Sequence, residues 1–441
     1  MGFILRSGLD SSHVISISYG QRVILRLIRL GHLTLQHYLA QESSHRFRID
    51  RQIRQHYDMY NPEQYGGFLM ARILKKGRAA IYNGLGHPFE IKEYPVPEPE
   101  PGAILIKVRR ANICGSDLHT WRGDYDLAAM GLPLPVILGH EMVGTVAKLG
   151  EGIRTDSAGQ PLAEGDRVVY RYFFPCGRCW ACLNGQDAAC PMAPIGSTGP
   201  SEPPPHFLGA YAEYYYLRPN HTIFKVPDDV SDNAAASANC ALSEVIYGLE
   251  RVGLTFGETI VIQGAGGLGV YATAVAKEMG AARVIVIDGV AQRLELAKAF
   301  GADDLIDLRE LKTADERVLR VRELTGGWGA HVVAELAGFA RVVPEGLDML
   351  GNGGRYLEIG NITAGMTYEA DPSSIVMGNK SIVGVFLYTP AALKKALEFL
   401  SRTKDKYPFE EICCRAYPLS EINKAFEDQE NGLVTRATIV P

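Results

Sequence analysis

The chain has 441 residues, 46% hydrophobic and 22% charged, with a formal net charge of −5. That length accommodates two domains of ordinary size with full cores, and the fractions are close to globular averages. The acidic balance argues against nucleic acid as the main partner, and no stretch of about 18 uninterrupted apolar residues is available to span a membrane. Eight cysteines without an export signal point to a reducing compartment, where thiols are free to bind metal.

Residues 1–69 stand apart, with eight Arg, no Lys, five acids and five of the eleven His. Within them residues 14–39 are apolar with interspersed Arg, a weakly amphipathic pattern. Such a segment suits an organelle presequence. The simpler expectation is an extension with no folded role on a cytoplasmic protein, because regular patterning begins only at Ala71-Arg72-Ile73. From about 70 to 230 the chain reads as short β runs broken by Gly, Pro and Asp, at 104–108, 143–148, 167–170 and 212–217. From about 246 strands alternate with helices: strand 259–263, helix 270–279, strand 283–287, helix 292–300, and strands starting after Asp303, at 331–335 and at 354–359. That alternation predicts a parallel sheet with crossover helices, an α/β protein. Beyond about 385 the pattern gives a helix over 391–400 and two short strands.

Three groups of residues carry chemistry. Cys176, Cys179, Cys182 and Cys190 are spaced C-x₂-C-x₂-C-x₇-C on a Pro-Gly-punctuated stretch, the ligand set of a closed tetrahedral zinc site. Paired disulfides are the competing reading, and the absence of a secretory signal opposes it. Gly264-Ala265-Gly266-Gly267-Leu268-Gly269 follows a strand and opens a helix, and Asp288 ends the next strand. In that context Gly264 makes the tight turn, Gly266 admits a pyrophosphate, Gly269 allows close helix–strand packing, and Asp288 accepts from the ribose hydroxyls while repelling a 2′-phosphate. NAD is therefore expected over NADP. Lastly Cys114, His140 and the distant Cys240 can supply three zinc ligands and leave a fourth position open, as a catalytic site requires.

With these motifs in hand, residues 70–441 resemble the zinc-dependent medium-chain alcohol dehydrogenases, nearest to the polyol and secondary-alcohol branches that share the Cys114-Gly115-Ser116-Asp117-Leu118-His119 form. The resemblance implies a GroES-like, mostly-β catalytic domain (70–245) carrying the zinc lobe, a Rossmann doubly wound parallel-sheet domain (246–384), and a return to the catalytic domain (385–441). It implies two zinc ions per chain, one held by Cys114, His140 and Cys240 and one by the four-cysteine lobe. Glu141 would sit beside the metal and Asp117 would orient His140. Ser116 would take the alcohol proton and His119 would pass it to solvent. Arg293 would lie near the adenosine, and Arg436 would replace a pyrophosphate contact that Gly115 cannot make. Glu244, four residues after Cys240, competes as a ligand, although thiolate suits zinc better.

Trp121 and Tyr172 are expected to wall a pocket for an apolar or ring-shaped alcohol or carbonyl, and residues 191–206 to cover that pocket or a subunit interface. Cys413 and Cys414 are expected in the core. The expected assembly is a homodimer or homotetramer. Two other readings remain: a non-catalytic zinc- and nucleotide-binding protein, and a zinc-free NADPH quinone-reductase-like enzyme, which would lack both cysteine sets.

Overall fold

Near-continuous apolar runs such as Thr-Ile-Val-Ile-Gln and Arg-Val-Ile-Val-Ile-Asp are buried almost throughout, the mark of parallel strands covered on both faces. A computed structural model describes residues 75–129, 131–193, 199–413 and 415–441. The amphipathic stretch at 14–39, the patterning onset at 71–73, Cys414 and residues 194–198 of the 191–206 loop lie outside them. Residues 72–441 form one compact unit.

In chain order the strands are β1 (Lys76–Tyr82), β2 (Glu90–Pro95), β3 (Ile104–Asn112), β4 (Val136–Ile137), β5 (Glu141–Leu149), β6 (Arg167–Tyr170), β7 (Tyr214–Leu217) and β8 (Ile223–Lys225), followed by β9 (Thr259–Gln263), β10 (Arg283–Asp288), β11 (Asp304–Asp307), β12 (Ala330–Glu335), β13 (Leu350–Glu358) and β14 (Ser381–Gly384), and finally β15 (Arg415–Pro418) and β16 (Ala437–Val440). The six strands β9–β14 form one parallel sheet in the order β11-β10-β9-β12-β13-β14. The order reverses between β9 and β12, the switch point at which such sheets bind dinucleotides. The other half combines a three-stranded sheet, β2-β1-β4, with a larger one running β15-β16-β3-β5-β6-β8. The expected α/β class, a mostly-β half beside a doubly wound half, is the fold observed.

Boundaries moved where local pairing overrode pattern. Ala212 bridges Ala79 singly, and the regular strand starts only at Tyr214. The helix Pro390–Thr403 starts one residue before the expected span and ends three after it. Thr389 caps it and Pro390 fits its first turn. A second helix, Ile422–Glu430, lies between the two last strands, where only strands were expected. Its buried face includes Gln429, whose amide donates to Ile113 O (3.0 Å) and accepts from Ala437 N (2.7 Å). A polar residue doing a core residue's job hides the helical stripe from an apolar count. Among the described residues no helix is long and apolar enough to cross a membrane.

Candidate active site

Cys114 is the N-cap of the helix Gly115–Arg122, and Asp117 of its first turn reaches back to accept from Cys114 N (3.0 Å). The Asp117 carboxylate also accepts from the buried Tyr211 hydroxyl (2.8 Å), and its other oxygen lies 3.6 Å from His140 Nδ1. Gly139 precedes His140 with φ +91°, and a Cβ there would lie 2.8 Å from the Tyr211 ring. Only glycine lets the chain pass Tyr211 at that conformation. Cys240 sits in a single π-type turn, Ala238–Leu242, an uncommon geometry that often marks functional positions. Its neighbour Asn239 donates to His140 O (3.1 Å) and Tyr170 O (3.0 Å) and accepts from Met142 N (3.1 Å), locking the Cys240 turn onto the His140 strand. Sequence reasoning missed Tyr211 and Asn239; each belongs to no spacing motif and acts on partners far along the chain, Tyr211 on the Asp117 carboxylate and Asn239 on backbone groups.

These supports bring the ligand atoms of Cys114, His140 and Cys240 within 4.8 Å of one another, with the two sulfurs 3.9 Å apart. The Cys240 thiol, with His140 and Arg436 beyond it, holds the Cys114 thiol well below its usual range, although burial opposes this. Glu141 is fully buried. One of its oxygens pairs with Arg436, and the other, Oε1, has no partner. Burial pushes its carboxyl up to about 7 despite that arginine. Two thiols and an imidazole converge here beside a buried carboxylate oxygen that has no partner, and this donor set suits zinc. Glu244 is not part of this group. It accepts from Leu387 N (2.9 Å), and burial pushes it up to about 8.

Ser116 is half-buried one residue into the same helix, and its carbonyl accepts from Thr120 Oγ1 (3.0 Å). His119 lies one turn on, with Nδ1 3.0 Å from Asp124 Oδ2 and 3.1 Å from Arg122 Nη2. Among the described residues no hydrogen bond joins Ser116 to His119. Of the two expected pocket walls, Tyr172 packs its ring on His140, centroids 4.6 Å apart. Trp121 instead packs on Phe426 at 6.0 Å. Residues 199–206 are tied to the three-stranded sheet: Ser201 N donates to Pro135 O (2.9 Å), and His206 stacks on Tyr94. Cys413 is buried.

The sulfurs of Cys176, Cys179, Cys182 and Cys190 also fall within 4.8 Å of one another. Cys179 caps the short helix Trp180–Leu183, and Cys176 N donates to Cys190 Sγ (3.3 Å). Backbone donors at Arg178 and Cys179 help hold the Cys176 thiol down at about 7 against its desolvation. Four closed thiols with no fifth residue in the group fit a tetrahedral structural ion.

The glycine turn joins β9 to the helix Gly267–Glu278. Gly264 has φ +100°, and Gly269 approaches so closely that a Cβ there would lie 1.8 Å from Gly264 O. Gly266 is the helix N-cap with open space where a side chain would stand, while Leu268 is half-buried. Arg293 lies in the first turn of the helix Ala291–Ala299. Two residues differ from expectation. Asp288 is not free for the ribose alone, since its oxygens accept from Ala265 N (2.7 Å) and Val290 N (2.8 Å) and so brace the turn. Arg436 does abut the turn, at Gly267, but its buried guanidinium is held by Glu141 rather than pointing freely toward a phosphate.

Residues 100–228 match the alcohol dehydrogenase GroES-like domain, and residues 267–402 match the zinc-binding dehydrogenase domain. The chain is 34% identical over 351 residues to 5-exo-hydroxycamphor dehydrogenase of Pseudomonas putida, covering 79% of this chain and 95% of that one. It is 33% identical to erythritol/L-threitol dehydrogenase of Mycolicibacterium smegmatis, covering 82% and 96%. An alcohol dehydrogenase structure from Thermotoga maritima superposes with a TM-score of 0.77 at 29% identity, covering 83% of this chain and all of that one. Motif, fold and relatives agree: this chain belongs to the zinc-dependent medium-chain alcohol dehydrogenase family.

Proposed function

We propose that this protein is an NAD-linked, zinc-dependent dehydrogenase that interconverts a secondary, cyclic or polyol alcohol and its carbonyl. The observation that carries this reading is the three-donor set of Cys114, His140 and Cys240, left one short of a tetrahedral shell at the start of the helix that carries Ser116. Bound there, zinc would supply Lewis-acid polarisation of the substrate oxygen. Asp117 holds the His140 ring, Asn239 holds the Cys240 turn, and Ser116 Oγ would take the alcohol proton, which His119, a partly exposed ring, would pass outward by way of the cofactor ribose. The glycine turn, braced by Asp288, receives the dinucleotide, and the anionic Asp288 favours a cofactor without a 2′-phosphate. The relatives include enzymes named for a bicyclic alcohol and for polyols. Tyr172 on His140 favours the ring-shaped alternative. The four-cysteine lobe would hold the second zinc.

We also infer a homo-oligomer. Trp180 and Leu183 on the lobe are 71% and 73% exposed, and β14 is a sheet edge flanked by the exposed Val376, Met377 and Phe386. Light scattering that returned a monomer would refute it. The activity is tested by incubating zinc-loaded protein with cyclic, secondary and polyol alcohols and NAD or NADP, following reduced cofactor. Metal analysis should give two zinc per chain. Zero or one zinc, or strong preference for NADP, would overturn the corresponding part of the reading.

A further inference from the structure

At the carboxyl end of the parallel sheet two acids stand side by side. Glu335, the last residue of β12, is paired in register with Glu358, the last of β13. Glu335 is fully buried. Its Oε1 accepts from Ala337 N and Gly338 N, both at 2.7 Å, which folds the turn after β12 back onto the strand. Its Oε2 accepts from the side-chain amide of Asn361 at 3.0 Å, and the same amide nitrogen donates to Glu358 Oε1, also at 3.0 Å. Asn361 N adds a second contact to Glu358 (3.2 Å), so the turn after β13 is fastened to the same pair. The two turns touch: a Cβ on Gly338 would lie 3.1 Å from Gly360 O. The first also walls the glycine turn, because a Cβ on Gly264 would lie 2.9 Å from Ala337 Cα.

We propose that Glu335 is a positioning residue for dinucleotide binding, and that one proton shared between Glu335 and Glu358 keeps both turns closed against the glycine turn. This rests on the reading of that edge as the NAD site. Adjacent carboxyls in a buried site cannot both ionise cheaply. With the proton present, one acid donates to the other and Asn361 bridges them. Without it, two like charges meet at the strand ends in a buried site, and the Ala337 turn slackens against Gly264. Burial and Glu358 together push Glu335 up to about 8, although the backbone donors of Gly338 and Ala337 pull the other way. Tyr356 from β13 also faces the pair, and its own further titratable neighbours are Tyr368 and Glu345, the latter paired with Arg317 at 2.6 Å. From β9 the uncharged Gln263 accepts from the Tyr356 hydroxyl (2.9 Å). Affinity for the dinucleotide therefore falls as pH rises.

The test is calorimetric titration of the zinc-loaded protein with NAD and, separately, with ADP-ribose, which lacks the nicotinamide that would approach the metal. If only the protonated pair binds, Kd rises about tenfold from about pH 7 to about pH 9 for both ligands. Glu335→Gln keeps the shape and carries no charge, so its Kd should stay flat over that range. Glu358→Gln, at a less buried position, should flatten it too and serves if Glu335→Gln does not fold. A wild-type Kd independent of pH, a rise for NAD but not ADP-ribose, or Gln variants that follow the wild-type rise would each overturn the inference. Failure of the wild type to bind either ligand at any pH would instead overturn the NAD-site reading beneath it.

Discussion

Gly267→Ala separates sequence reasoning from structural reasoning by the sign of its effect. Gly267 opens a helix and has no positive φ, so helix propensity alone would have alanine stabilise by up to about 1 kcal/mol. The surroundings reverse this. An added Cβ would lie 1.9 Å from Arg436 Nη2 and 2.5 Å from its Cζ, where ordinary contact begins at 3.4 Å. The guanidinium must retreat by about 1.5 Å, the difference between 3.4 and 1.9 Å. It has nowhere to go: Arg436 is 5% exposed and is pinned to Glu141, which is 0% exposed and already has one oxygen without a partner. Overpacking costs about 1–3 kcal/mol, and a broken buried pair about 3–5 kcal/mol. If the pair breaks, its cost less the propensity gain leaves a net loss of about 2–4 kcal/mol before any residual overpacking, read as a lower urea midpoint at unchanged slope. Gly266→Ala is the control. Its Cβ meets nothing, so stability should hold within about 0.5 kcal/mol while NAD binding weakens. A Gly267→Ala midpoint at or above wild type would refute the reasoning.

Cys179→Ser should remove one zinc per chain and lower the melting temperature, whereas Cys114→Ser should abolish turnover in a protein that still folds, as metal content and circular dichroism would report. Asp117→Asn frees the His140 ring and should cost about 10–100-fold in affinity for the catalytic metal, measured by chelator competition. Stability should also carry a signature of Glu335. Its folded-state carboxyl titrates near 8 against an ordinary 4.5, so between those values the folded protein holds a proton that the unfolded chain has released. Stability from this group therefore falls with rising pH across that window, by up to about 1.4 kcal/mol per unit, and is level above it. The midpoint of Glu335→Gln relative to wild type should climb with pH; a constant gap would exclude this linkage.

The parts legible in the sequence are those in which one local segment carries its own geometry. The four-cysteine run, the glycine turn and Asp288 lie within short windows whose spacing dictates their shape, and the alternation after residue 246 gives a parallel sheet without knowledge of contacts. Cys114, His140 and Cys240 are 126 residues apart at the extremes, and residue types alone only permitted their grouping. What stayed hidden are partners set by register and long-range packing. Glu335 beside Glu358 depends on β12 pairing β13 without a slip at its end. Asn239, Tyr211 and the Arg436–Glu141 pair likewise join segments that no periodicity relates. The helix Ile422–Glu430 was masked because Gln429 and Asp428 occupy its buried face.

The strand Ala437–Val440 lies between β15 and β3, in the interior of the catalytic sheet rather than at its margin. Residue 436, immediately before it, is the arginine that meets both Glu141 and the glycine turn. During synthesis, then, the catalytic half has a gap in its sheet until residues 437–440 have left the ribosome, while β9 to β14 can already pair among themselves. The nucleotide half is free to fold first, while in the catalytic half β15 and the Ala111–Asn112 end of β3 wait for their partner strand, open meanwhile to chaperones or to aggregation.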